Sequence, residues 1–211
     1  RSRDEEGPVM VVLCSSSIGW VENSMVNKIG EASSVLSGFL KVRELGVEAV
    51  RSFFPGFTRR QCVETYAILG GVPGFWRHFE EDLSIKDNIC RHILDADAYL
   101  YEEGQRIVEE ELRETGVYNT ILASIAAGRR KLNDLYLHTE FSRAKISVYL
   151  KNLMELELVE KVFSYDTEGK ANTQKGVYRI SNHFVHFYFT YLYPNLSSLE
   201  RMSAEDFYRE Y

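Results

Sequence analysis

The chain has 211 residues, 45% of them hydrophobic and 27% charged, with a formal net charge of −6. That composition is globular rather than disordered, and the length allows one large domain or two small ones with a core that needs no cross-links. The acidic balance excludes a surface coated in basic charge for nucleic acid, though not a local basic patch. Cys14, Cys62 and Cys90 are odd in number, far apart and without a CxxC pair. This argues against a disulfide framework or a cysteine zinc site and for buried thiols in a reducing cytoplasm. The longest apolar stretch, residues 184–193, falls well short of the roughly 20 residues that cross a bilayer, and it contains His186. The early apolar run has acidic flanks and no cleavage pattern, so no signal peptide or membrane attachment is expected. The chain opens on Arg1, which suggests a piece of a longer polypeptide.

Residues 1–8 are charged, end in Gly-Pro and read as a loop. Val9 to Leu13 is an unbroken apolar run, suited to a strand buried on both faces of a parallel sheet. Ser15, Ser16 and Ser17 follow at its carboxyl end, where open α/β sheets bind ligands. Residues 36–43 suit a short strand, and residues 47–54 a helix that stops at Phe53-Phe54-Pro55-Gly56. Thr58 is placed to cap a helix over residues 59–69, with Val63, Tyr66, Ala67 and Gly70 as its apolar face. Gly-Gly-Val-Pro-Gly (70–74) breaks that helix, and Pro73 sits in the first turn of the next. Further helices are predicted over residues 84–94 and 98–114.

From residue 116 the pattern changes. A helix over residues 118–127 stops at Gly128, a second covers 131–138, and Ser142 caps a third over 143–156. Two alternating strands follow around a polar turn, near residues 159–165 and 177–181. Three helices and a hairpin in this order suggest a winged helix.

Arg129, Arg130, Lys131, Arg143, Lys145 and Lys151 outnumber Asp134 and Glu140 within residues 128–151, and Lys170 and Lys175 join them on the wing. In a DNA-binding winged helix the third helix enters the major groove and the wing meets phosphates. The alternative is a protein-interaction module whose lysines are merely solvated. His183 and His186 lie inside an aromatic run, the pattern of a core helix rather than a metal site. No GxSxG, HExxH or glycine-rich phosphate loop is present, so no complete catalytic set and no metal site is expected.

Six segments together resemble one family. VVLCSSSIGWVENSM resembles the sensor 1 strand and loop of the archaeal-type P-loop ATPases of the AAA+/STAND class, and FFPGFTRRQCVETYAILGGVPGFW resembles their lid. SIKDNICRHIL and YNTILASIAAGRRKLNDL match the segments that follow, while YLKNLMELELVEK and KGVYRISNHFVHFYFTYLYPN resemble the winged helix and the start of a fused domain of unknown function. The resemblance implies an ATP-binding, Mg2+-dependent switch, cytoplasmic and prokaryotic. It implies a mostly α fold with a small β component: a remnant of the P-loop α/β core over residues 1–35, a helical lid over 36–115, a winged helix over 116–193 and a truncated last domain over 194–211. Ser16 would match the sensor 1 polar residue beside the γ-phosphate, and Gly71 and Pro73 the lid turn against the adenine and ribose. Where the family often has a Gly-Arg-Arg-Thr-Gly-like stretch, this chain reads GEASSVLSG over residues 30–38. The phosphate loop and the acidic magnesium strand would lie upstream of Arg1, so the chain alone is expected not to bind or hydrolyse ATP. Its implied partners are the nucleotide, through that upstream core, and DNA or a protein, through the winged helix.

Overall fold

In the computed structural model, residues 10–15, 21, 25–163 and 176–211 are described. The chain divides into two compact units, residues 1–39 and 40–211. In the first, one helical turn, α1 (Val26–Ile29), leads into a 3-10 segment, Gly30–Val35. Residues 10–15 form no strand, and Met10 to Leu13 are exposed. The strand predicted from Val9 to Leu13 is therefore absent over its described part, and so is the one predicted over residues 36–43. The physical reason is the same for both: a strand exists through the strands beside it, and neither stretch joins the sheet found among the described residues.

The second unit is helical with one small sheet. Helix α2 (Val47–Phe53) ends where Phe54 precedes proline, and the Phe54 ring stacks on Phe57 with centroids 4.5 Å apart. Helix α3 (Arg59–Leu69) starts with a complete capping box. The Gln61 N–H donates to Thr58 Oγ1 (3.3 Å), and the Thr58 N–H donates to Gln61 Oε1 (2.9 Å). Thr58→Ala is expected to cost about 1 kcal/mol, read as a lower urea midpoint with an unchanged slope. The buried face of α3 is Cys62, Thr65, Ile68 and Leu69, while Val63 and Ala67 face outward. The predicted face was turned by about one residue, because Thr65 hides a polar member inside the stripe and Ile68–Leu69 outweigh Ala67 in buried area.

Helix α4 (Pro73–Trp76) is a single turn with proline at its start, shorter than the sequence suggested. Ser84 caps α5 (Ile85–His92), its side chain accepting from the Asp87 N–H (3.1 Å). Helix α6 (Tyr99–Glu111) ends before Glu114, whose left-handed backbone (φ 58) separates it from α7 (Thr115–Ala126). Helix α8 (Leu132–Thr139) is followed by α9 (Arg143–Glu155), capped by Ser142. Strands β1 (Val159–Val162) and β2 (Val177–Ile180) pair antiparallel, with Val159 opposite Ile180 and Val162 opposite Val177. The opposed residues Glu160 and Arg179 form an ion pair across the ladder. Asn182 caps α10 (His183–Phe187), which runs on through a π-helical segment, Tyr188–Leu192, and a 3-10 turn, Tyr193–Asn195. Helices α11 (Leu196–Leu199) and α12 (Ala204–Glu210) close the described chain.

One apolar core runs through this unit, from Val50 and Trp76 through Ile121, Leu122 and Ile146 to Phe184 and Phe189. Helix α10 packs on α3 and α6, while α7 packs on α6, α8, α9 and β2. The Phe184 ring meets Phe75 with centroids 5.2 Å apart. The fold is thus mostly α with a small antiparallel sheet. Among the described residues, no helix is long and apolar enough to cross a membrane. Cys62 and Cys90 are buried, as expected, but Cys14 is exposed.

Candidate functional site

Two of the residues singled out from the sequence, Gly71 and Pro73, belong to the turn between α3 and α4. Gly70 ends α3 with a positive φ of 67°, and its carbonyl accepts a hydrogen bond from Trp76 Nε1 (2.9 Å). Gly71 donates its N–H to Glu44 Oε2 (3.2 Å), and its carbonyl accepts from the Leu45 N–H (2.8 Å). Glu44 also accepts from Asn182 Nδ2 (3.4 Å), the cap of α10. The turn is thereby tied on one side to residues 44–45 and on the other to the start of α10. A Cβ on Gly71 would lie 2.0 Å from the Leu45 carbonyl oxygen. The close backbone approach that glycine permits at this position is made by the chain itself. Ser16, Lys170 and Lys175 lie outside the described residues.

The basic residues fall into two groups. Arg129, Arg130 and Lys131 follow α7 in one short segment, with the Arg129 N–H donating to the Ser124 carbonyl (3.0 Å) and the Arg130 carbonyl accepting from the Tyr178 N–H (2.7 Å). Arg143 and Lys145 stand in the first turn of α9. Arg143 donates to Asn133 Oδ1 (2.7 Å) and lies over the Tyr136 ring, 4.1 Å from its centroid. Lys145 lies over Phe141 (4.7 Å) and Tyr149 (5.7 Å). Both cations are docked on aromatic faces of their own fold, which orients them and removes part of their freedom to reach a phosphate. The exposed face of α9 also carries Val148 and Ala144. Tyr149 donates its hydroxyl to Glu114, and this bond to a carboxylate pushes the phenol up to about 12.

A cavity of about 270 Å³ opens where the hairpin meets α10. Arg130, Arg179, Ser181, His183 and His186 line it with one carboxylate, Glu160, and Ile125 and Ile180 form its apolar wall. Of this group only Arg130 was singled out as a binding residue from the sequence. Arg179, Ile180, Ser181, His183 and His186 follow one another within eight positions, but Ile125 on α7 and Glu160 on β1 join them only through the fold. The Ser181 hydroxyl donates to the Glu157 carbonyl. The His183 ring packs on Tyr66, and its buried Nδ1 has no hydrogen-bond partner among the described residues. Burial lowers the His186 imidazole below its ordinary range, and the charges of Arg130 and His183 lower it further. His78, half-buried beside Arg77 and His92, shifts the same way and also mainly through burial.

A histidine lowered in the folded state favours folding only while it is neutral. Stability is full above the unfolded value of 6.5 and falls as pH drops through it, until the folded groups protonate as well. The urea midpoint is therefore expected to be lower at about pH 5.5 than at about pH 7.5, with a smaller difference in His186→Gln.

Among the described residues, no group of three or more His, Cys, Asp or Glu side chains is arranged to hold a metal ion. No family model matches the chain, and no solved structure matches it. The chain is similar to an uncharacterized protein of Methanocaldococcus jannaschii, with 28% identity over 190 residues, covering 90% of this chain and 42% of that protein. The chain thus spans less than half the length of this relative.

Proposed function

We propose that this chain is the lid and winged-helix part of an ATP-driven switch of the P-loop type, with its phosphate-binding loop on a longer polypeptide. The observation that carries the reading is the ordered series in residues 115–180. Helix α7 is followed by a segment whose Arg130 carbonyl bonds to β2, then by α8, α9 and the β1–β2 hairpin. Helix, edge segment, two helices and hairpin is the order of a winged helix. The turn at Gly70–Gly71 adds support, because it fixes α3, α4 and α10 to one another at the place where the resemblance puts a nucleotide-facing lid. Mg2+-ATP, when bound, supplies the hydrolysable phosphate. Within this chain the proposed roles are a sensing hydroxyl at Ser16 and a nucleotide-facing turn at Gly71 and Pro73. The chain alone is expected to show no ATP turnover. Turnover by the chain that Ser16→Ala abolishes would overturn this.

A second reading, DNA binding through the winged helix, is favoured by the placement of Arg129, Arg130 and Lys131 in one short segment. Binding to duplex DNA should then weaken steeply with salt, and Arg143→Ala or Lys145→Ala should lower that slope by about one each. If the exposed face of α9, with Val148, serves a protein partner instead, no such salt dependence is expected.

A further inference from the structure

The cavity between the hairpin and α10 gathers two guanidinium groups, two imidazoles and a hydroxyl around one carboxylate. That carboxylate, Glu160, is already paired with Arg179. Arg130 has no ion-pair partner among the described residues. Its backbone is nonetheless held in place, because its carbonyl takes the Tyr178 N–H of β2. His183 lines the cavity, while its buried Nδ1 lies beside Gly70. Burial first, and then Arg130 and His183, disfavour protonation of His186. With Arg179 paired to Glu160, the Arg130 guanidinium is the charge left unmatched in the lining, and the group that suits a planar guanidinium and neighbouring N–H donors is an oxyanion. At about 270 Å³ the cavity lies just below the usual size of ligand pockets, about 300–1,000 Å³. That is room for a phosphate and one small sugar-sized group, with Ile125 and Ile180 against the apolar edge of the sugar.

We propose that this cavity binds the phosphate of a small phosphate monoester, held by Arg130 and His186 with Arg179 and Ser181 at its rim. The Glu160–Arg179 pair would set the mouth of the site and keep Arg179 from closing on the ligand. The inference stands on this cavity and is independent of whether the chain belongs to an ATP-driven switch.

The test uses the whole chain, with inorganic phosphate and ribose 5-phosphate as probes, and follows the imidazole resonances of His183 and His186 by NMR. Both probes are expected to move these resonances saturably, the sugar phosphate at the lower concentration. Arg130→Gln should weaken both by about tenfold, the loss of one charge-assisted contact. Arg130→Gln keeps the backbone bond to Tyr178, so the amide spectrum away from the cavity should be unchanged and shows that the variant is folded. His186→Gln should weaken binding as well, and Arg60→Gln, exposed on α3 and paired with Glu64 (2.7 Å), should have no effect. The proposal fails if neither probe gives a saturable shift. It fails equally if Arg130→Gln and His186→Gln bind as the parent does, or if a short DNA duplex moves the resonances while the monoester does not.

Discussion

Phe184→Ala is expected to lower the unfolding free energy by about 3–5 kcal/mol, enough to unfold much of a marginally stable protein. Phe184 is fully buried at the start of α10, and its ring meets Phe75 on α4, so its loss opens a cavity between helices far apart in sequence. The expected signature is one cooperative transition at a lower urea midpoint, followed by both far-ultraviolet circular dichroism and, with Trp20→Phe in the background, Trp76 fluorescence. Trp76 is buried on the α4 side. Coincident curves mean that the helices before residue 115 and the helices and hairpin after it unfold together, as one continuous core requires. Two separated transitions, with only one shifted, would mean that the interface holds little of the stability.

Gly71→Ala is the second large effect. The added Cβ would stand 2.0 Å from the Leu45 carbonyl oxygen and 2.7 Å from the Leu45 nitrogen. These are backbone atoms, so no rotamer change relieves the clash. Either residues 44–45 leave the turn, breaking the Leu45–Gly71 and Glu44–Gly71 hydrogen bonds, or α3 and α4 move apart. Overpacking of this kind costs about 1–3 kcal/mol, and here two hydrogen bonds of about 1 kcal/mol each are lost with it. Hydrogen exchange should report faster opening at the Leu45 and Gly71 amides, which distinguishes displacement of residues 44–45 from global unfolding. Gly74→Ala serves as the control, since its Cβ would meet only a Val72 methyl at 3.8 Å.

Local signals read well in this sequence wherever chemistry repeats at short range. Thr58 and Ser142 were legible as caps because a hydroxyl just before a helical run satisfies an otherwise unpaired N–H. The hairpin was legible from two alternating runs around a polar turn, although that turn lies outside the described residues. The break between α6 and α7 was placed close to its true position, beside Gly116. Glu114 adopts the left-handed backbone there, and its carboxylate takes the Tyr149 hydroxyl from α9. Features that depend on the tertiary fold were not legible. The inward face of α3 turns on how Thr65 and Ile68 meet other helices. The docking of Leu45 on Gly71 joins residues 26 apart, and nothing local in residues 40–46 announces it. The cavity lining reaches from α7 to α10, so only the folded chain brings Arg130 beside His186. Arg143 and Lys145 were legible as cations, but their seats on Tyr136, Phe141 and Tyr149 were not.

The proposed switch role is tested most directly by calorimetric titration with Mg2+-ATP, on the chain itself and on a polypeptide extended upstream through the proposed phosphate loop. Saturable binding is expected of the extended polypeptide, none of the chain alone, and weaker binding when Ser16→Ala or Gly71→Ala is placed in the extended form. Absence of binding by both would contradict that role and move DNA or a protein partner, met through residues 115–180, to the front. Equal binding by both would contradict it as well, because the phosphate site would then lie within these 211 residues.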